Sequence, residues 1–275
     1  MKMVPDITAL LKETCYRVFK RTRGLVGTEL GNERFEVGAG GDISRKIDLV
    51  AEATVFEVLD EYNFRPTIIA EEAGIVEGHD GYLVVDAVDG TTNASRAIPF
   101  VCCSIAFSSD VTLSSVEAAA VIDLTNKDLY HAKYRMGSYK NDRAIRVSTS
   151  TLNSESHELD DIIIGLNLSS VDPSSIMKLL KVVSKSKHIR QFGANALELC
   201  YLASGLLDAY IDLRGKIRIT DVAAAYLVVK EAGGKLYTTN GSELDSTLTS
   251  SERISFLAVR DEKLFTHLAS NIGSP

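Results

Sequence analysis

An α+β fold in two halves is predicted, and three observations predict it. Apolar residues at helical spacing mark two early helices, over residues 7–23 and 48–62. Short apolar strands separated by turn residues follow them, up to about Ser148. Beyond that point strands and helices alternate, the pattern of an α/β unit. At 275 residues the chain suits two compact units or one large layered domain. The division is placed at residues 1–147 and 148–275.

In the first helix Leu10, Leu11, Val18 and Phe19 supply the apolar positions, with charges between them. Glycines 24, 27, 31, 38, 40 and 41 then interrupt any regular period, so residues 24–41 are predicted to be a mobile loop, a hairpin or a lid. Whether this segment closes over a substrate is left open. In the second helix Leu49, Val50, Ala53, Phe56, Val58 and Leu59 lie largely opposite Glu52, Glu57, Asp60 and Glu61. A short strand over 67–70 runs into Glu71-Glu72, and Tyr82-Leu83-Val84-Val85 runs into Asp86. Strands over 100–107 and 117–123, with a hairpin turning at Asn141-Asp142, complete what reads as an antiparallel sheet. The second half reads as strand 162–166, helix 174–184, a strand around Ile189, helix 194–204, strand 208–213 and helix 222–232. Gly233-Gly234 caps that last helix, a short strand follows, and Asn240-Gly241 makes another turn.

Apolar residues at 45% and charged residues at 24% describe an ordinary soluble globular chain. A formal charge of -7 without a basic stripe excludes a general nucleic-acid or anionic-membrane binder. No apolar run approaches the roughly 20 residues of a membrane span, and residues 1–6 lack a signal-peptide core, so a cytoplasmic location is expected. Cys15, Cys102, Cys103 and Cys200 show no C-x-x-C spacing and are expected to be buried free thiols. Adjacent Cys102 and Cys103 should face opposite ways along a strand. The histidines at 79, 131, 157, 188 and 267 are scattered and form no zinc motif.

Chemistry concentrates in Asp86-Ala87-Val88-Asp89-Gly90-Thr91-Thr92, where two carboxylates three residues apart end a strand. The glycine permits close backbone approach, and the hydroxyl residues suit a helix start whose free N–H groups favour an anion. Glu71-Glu72 ends a second strand, and Asp221 lies between a strand-like segment and a helix, where it could also be a simple N-cap. Converging buried carboxylates repel one another and call for a cation. Oxygen donors without histidine or cysteine suit Mg²⁺, with Mn²⁺ as substitute, over zinc. The spacing D-x-x-D is not the D-x-D of haloacid-dehalogenase-type phosphatases, and D-G-T is not the D-[ST]-G of aspartic proteases. Prenyl synthases place their acids on helices, and neither a P-loop nor a G-x-S-x-G motif is present. Metal-assisted hydrolysis of a phosphate ester remains, with Asp48 a candidate to orient the attacking water or else a plain helix cap.

These residues together resemble the inositol monophosphatase superfamily. Asp86 through Asn93 resembles its signature D-P-[IL]-D-G-T-x-N, and Ala70-Glu71-Glu72 its G-E-E. Thr220 through Ala224, with Glu231-Ala232-Gly233-Gly234, resembles W-D-x-A-A followed by E-A-G-G. Gly137 through Ser148 is similar to G-x-x-x-N-x-x-x-I-x-V-S. Their ordered co-occurrence through most of the chain makes the resemblance specific.

The resemblance implies a layered α/β/α/β/α sandwich, Mg²⁺-dependent hydrolysis of small phosphate esters, and a homodimer. It implies metal ligation by Glu71, Asp86, Asp89, Asp221 and the main-chain carbonyl of Val88. It also implies that Thr91 and Asp48, with Glu71, serve catalysis, and that Asp89 and the Gly90 and Thr91 N–H groups meet the substrate. Glu72 would neighbour the metals. Ala87 stands where the family has proline, and Thr220 where it has tryptophan. Residues 212–218 are longer and more basic than in typical animal members. With Gly38-Ala39-Gly40-Gly41-Asp42 they look like the archaeal branch, which acts on fructose 1,6-bisphosphate and inositol phosphates. Arg214, Lys216 or Arg218 could bind a second phosphate there, or the segment could be a solvated basic turn. Asp212 could meet a hydroxyl, and Arg190 and Asn195 are further pocket candidates. A 3′(2′),5′-bisphosphate nucleotidase is the alternative enzyme, ranked lower because few aromatic residues near the motifs could stack on adenine. A regulatory binding protein of the same fold is the non-enzyme alternative.

Overall fold

The computed structural model describes residues 6–149 and 161–272; His157 and residues 1–5 lie outside them. The first half runs α1 (Ile7–Thr22), β1 (Arg34–Val37), β2 (Ile43–Arg45), α2 (Lys46–Tyr62), β3 (Thr67–Ala70), β4 (Gly74–Val76) and β5 (Tyr82–Asp89). It continues with the short α3 (Thr91–Ser95), β6 (Cys102–Ser108), β7 (Val116–Asp123), β8 (Leu129–Lys133), β9 (Gly137–Lys140) and β10 (Arg143–Ile145). The second half contains β11 (Ile163–Leu166), α4 (Pro173–Lys185), β12 (His188–Arg190), α5 (Asn195–Ala203) and β13 (Ala209–Ile217). After these come α6 (Ala223–Glu231), β14 (Lys235–Thr238), β15 (Ile254–Val259) and α7 (Glu262–Asn271).

The predicted elements form within a few residues of their expected ends, while β4, β8, β15 and α7 have no counterpart in the sequence reading. Two expectations are corrected. The first sheet is mixed rather than antiparallel, because β4 turns back along the outer edge of β3 and leaves β5 to join the other side in parallel. Residues 212–218 are not a solvated turn: β13 continues to Ile217, with a register shift against β15 after Asp212.

The layers follow from which face each strand buries. The larger sheet has the order β10-β9-β8-β7-β6-β5-β3-β4, and the smaller β12-β11-β13-β15-β14. Helices α1 and α2 cover one face of the larger sheet, α5 and α6 fill the space between the sheets, and α4 and α7 cover the outside of the smaller one. The result is an α/β/α/β/α sandwich. Along β5, Leu83 and Val85 join the core under α1 and α2, while Val84 joins the core around α5 and α6. Burial on both faces explains why these strands are continuously apolar in sequence instead of alternating. Cys102 and Cys103 follow the same rule, one in each core, and all four cysteines are buried and free. Among the described residues no helix is long and apolar enough to cross a membrane.

Candidate active site

In a regular strand, residues three apart face opposite ways, which would separate Asp86 from Asp89. The structure removes the conflict with a bulge: Asp86 pairs with Ser104 and Asp89 with Cys102, so three steps on β5 match two on β6. Ala87 lies inside this interruption and is buried in the core, so the turn forms without the family's proline. Val88 N–H donates to Asp86 Oδ1 at 3.2 Å, and Ala196 N–H at the start of α5 donates to Asp89 Oδ2 at 2.7 Å. Gly90 has φ +94°, and a Cβ there would stand 3.0 Å from the Phe100 carbonyl oxygen, so glycine is required twice over. The Thr91 hydroxyl donates to the Val88 carbonyl at 3.1 Å. Asn93 Nδ2 donates to the carbonyls of Phe100 (2.8 Å) and Phe192 (2.7 Å), tying α3 to both halves of the chain.

The parallel pairing of β3 with β5 sets Ala70 against Val85, so Glu71 leaves its strand beside Asp86. From the second half, Asp221 reaches the same place after β13. It is not the cap of α6, a position held by Val222; its Oδ2 accepts the Arg218 N–H at 2.9 Å. Carboxylate oxygens of Glu71, Asp86 and Asp221 lie within 4.8 Å of one another. Burial, and then mutual repulsion, pushes Glu71 up to about 7 and Asp86 well above the usual carboxylate range, while burial raises Asp89 and Asp221 as well. Such a cluster fits a divalent cation, which would remove the repulsion and replace lost hydration with oxygen donors. Arg218 partly compensates it, donating to Glu71 and Asp42 and, at 2.9 Å, to the Gly40 carbonyl.

Asp48 is the helix cap that the sequence allowed, and it also lines the cavity. As the third residue of α2 it accepts the Arg45 N–H on Oδ2 at 2.8 Å, an N-terminal cap. Among the described residues its Oδ1 is buried without a close hydrogen-bond partner, and burial pushes the carboxyl up to about 7 against the opposing influence of the Arg45 N–H and the Thr91 hydroxyl. Asp48, Glu71, Asp86, Val88, Asp89, Gly90, Thr91, Asn195, Arg214 and Asp221 all line one cavity of about 770 Å³. Asn195 Oδ1 accepts the Tyr210 hydroxyl at 2.6 Å. Three candidates are not brought there. Asp212 is fully buried and binds Arg214 through Nε and Nη2 (2.6–3.0 Å), so it positions that arginine instead of facing a substrate. Arg190 is exposed on edge strand β12, its guanidinium on the Ile189 carbonyl. Lys216 is likewise exposed and outside the cavity lining.

The glycine-rich segment becomes turns and then the β1–β2 hairpin, whose tip docks on the acid loop. Ala39 N–H donates to the Glu72 carbonyl (3.0 Å) and Gly40 N–H to that of Glu71 (2.7 Å). The Ser44 hydroxyl donates to Glu72 Oε2. Glu52, expected on the polar face of the second helix, is instead buried while Ala53 is exposed, and it and the buried Glu198, which was not among the predicted site residues, brace the walls. Glu52 accepts the N–H groups of Glu72 (3.1 Å) and Ala73 (2.8 Å), and Glu198 those of Phe192 (3.2 Å) and Gly193 (3.0 Å). A signal existed for each: Glu52 stands four residues after Asp48 on one helix face, and Glu198 interrupts an apolar helix.

The inositol monophosphatase family model matches residues 6–272. The chain is 37% identical over 252 residues to a fructose-1,6-bisphosphatase/inositol-1-monophosphatase of Methanothermobacter thermautotrophicus, a match covering 87% of each chain. It is 30% identical over 272 residues to a bifunctional NADP phosphatase/NAD kinase of Methanococcus maripaludis, covering 93% of this chain and 47% of that protein. The structure superposes on that of extragenic suppressor protein SuhB from Bartonella henselae with a TM-score of 0.83 at 25% identity, covering 98% and 99% of the two chains. Fold, ordered motifs and near-complete coverage agree, and the chain belongs to the inositol monophosphatase family as a phosphoric monoester hydrolase.

Proposed function

We propose that the protein is a Mg²⁺-dependent phosphomonoesterase acting on inositol monophosphate and fructose 1,6-bisphosphate. The observation that carries this reading is the meeting of Glu71, Asp86 and Asp221, from three strand ends, in the cavity that also holds Asp48, Asp89 and Thr91. Glu71, Asp86, Asp89, Asp221 and the Val88 carbonyl would hold the ions, and the all-oxygen donor set favours Mg²⁺, with Mn²⁺ as substitute. Bound there, the ions supply Lewis acidity toward phosphoryl oxygens and acidify water. Asp48 offers an oxygen unpartnered among the described residues on a carboxyl that burial raises to about 7, suited to take a proton from water, and Thr91 offers the hydroxyl that orients it. The Gly90 and Thr91 N–H groups hold the phosphate. Water oxygen attacks phosphorus, the ester P–O bond breaks, and the alcohol leaves with a proton. Asn195 and Arg214 contact the remainder of the substrate. The first half of the chain thereby carries most of the acids, while residues 148–275 add Asp221 and the pocket wall. A homodimer in the cytoplasm completes this reading.

The similarity to the NADP phosphatase/NAD kinase supports a second reading, a phosphate carried on a nucleotide, for which a cavity of about 770 Å³ leaves room. A substrate panel at fixed Mg²⁺ decides between them: inositol 1-phosphate, fructose 1,6-bisphosphate, NADP and adenosine 3′,5′-bisphosphate. The parent should favour the first two, and Asp89→Asn should lose at least about 100-fold in kcat on each while keeping its circular dichroism. A parent that prefers a nucleotide, or an Asp89→Asn variant at parent rate, would overturn the corresponding assignment.

A further inference from the structure

Four arginines line the cavity: Arg34, Arg45, Arg214 and Arg218. Two are neutralised on the spot, Arg214 by Asp212 and Arg218 by Glu71 and Asp42. The other two have no ion-pair partner among the described residues. Arg45 has only the Asn32 side-chain oxygen at 3.3 Å, and Asp48 feels its charge without pairing with it.

These two are also neighbours. Arg34 on β1 and Arg45 on β2 are direct cross-strand partners in the hairpin. Side chains at such positions share a face, with Cβ atoms about 5 Å apart, and like charges there destabilise the ribbon. The repulsion is built into a segment that cannot swing freely: Lys46 N–H holds the Glu33 carbonyl at 2.9 Å, and the tip is bonded to Glu71 and Glu72. Two guanidinium groups on one face, on a braced ribbon beside the acid cluster, make a binding place for an anion with several oxygens.

We propose that Arg34 and Arg45 together bind a second anionic group of the substrate, separate from the phosphate being hydrolysed, and so select phosphate esters that carry two charged groups. This rests on the phosphomonoesterase reading. It moves the second-anion role away from Arg214, Lys216 and Arg218, since Arg214 and Arg218 are committed to acids and Lys216 lies outside the cavity. A sugar bisphosphate and a dinucleotide phosphate both meet the requirement, and the substrates of the test separate them.

The test compares parent, Arg34→Gln, Arg45→Gln and the double variant on inositol 1-phosphate, fructose 1,6-bisphosphate and NADP. The expected result is a fall of roughly tenfold per arginine in the ratio of kcat/KM for the doubly charged ester to that for inositol 1-phosphate, mostly through KM. Arg45→Lys should recover part of the ratio, and added salt should shrink the parent's preference. The ester whose ratio falls names the source of the second anion. A ratio that stays constant overturns the proposal, whether because all esters fall alike, as for arginines acting on the reacting phosphate, or because none falls. Calorimetric titration of each protein with the same compounds reads the selectivity without turnover. A parent inactive on every ester would sink the phosphatase reading, while the binding ratio would still decide the arginines.

Discussion

Glu198 contributes a pH dependence of its own to the stability of this fold. It sits in the helix layer between the sheets, accepts two main-chain N–H groups on Oε1, and has no partner for Oε2 among the described residues. Burial pushes its pKa from 4.5 up to about 7. Between those values the folded chain keeps the proton and the unfolded chain releases it, so stability from this group is full below about pH 4.5 and lost as pH rises through 7. Glu198→Gln should therefore gain on the parent by up to about 3 kcal/mol between pH 5 and pH 8, read from urea unfolding at several pH values. Parallel stability curves for the two proteins would show that Glu198 does not titrate in this window.

At the scale of elements, the site is a set of strand ends braced by helices. The Glu71–Ala73 turn has no regular structure of its own; it is held by Glu52 from α2 on one side and by the hairpin tip on the other. Glu52→Ala leaves two main-chain N–H groups without acceptors, at roughly 1–3 kcal/mol each. We expect a stability loss of about 2–6 kcal/mol and a several-fold higher Mg²⁺ concentration for half-maximal activity, because Glu71 loses its support. Glu57→Ala, which breaks only an exposed pair with Arg21, should change stability by no more than about 0.5 kcal/mol. Equal effects of the two substitutions in thermal unfolding would remove Glu52 from this role.

At the scale of the whole molecule the acid cluster draws on both sheets, since Asp221 follows β13 of the smaller one while Glu71 follows β3 and Asp86 lies on β5 of the larger. A cation held by all three binds only the folded chain. Mg²⁺ at about a hundred times its dissociation constant should then add about 2.7 kcal/mol, a rise of roughly 5–10 °C in Tm that chelator reverses. Asp221→Asn should reduce the rise sharply in the same calorimetric scan. An unchanged Tm in the parent would argue against a metal centre at these residues.

Most elements were legible in the sequence because apolar period and turn residues are local signals, and the acid motifs were legible because they keep their order and spacing. Asp86, Asp89, Glu71 and Asp221 could be named from one dimension. Their meeting could not: it depends on a bulge in β5, on the parallel pairing of β3 with β5, and on where β13 ends beside them. The same non-local geometry kept Asp212 and Arg190 out of the cavity and set the hairpin that pairs Arg34 with Arg45 on its rim. The sequence by itself determined the residue types, their ordered motifs and an α+β chain in two halves, since these follow from local periodicity and chemistry, while the layered class came with the family resemblance that the motifs carry. Only the tertiary structure decided which charges find partners, because pairing depends on distances between segments far apart in the chain.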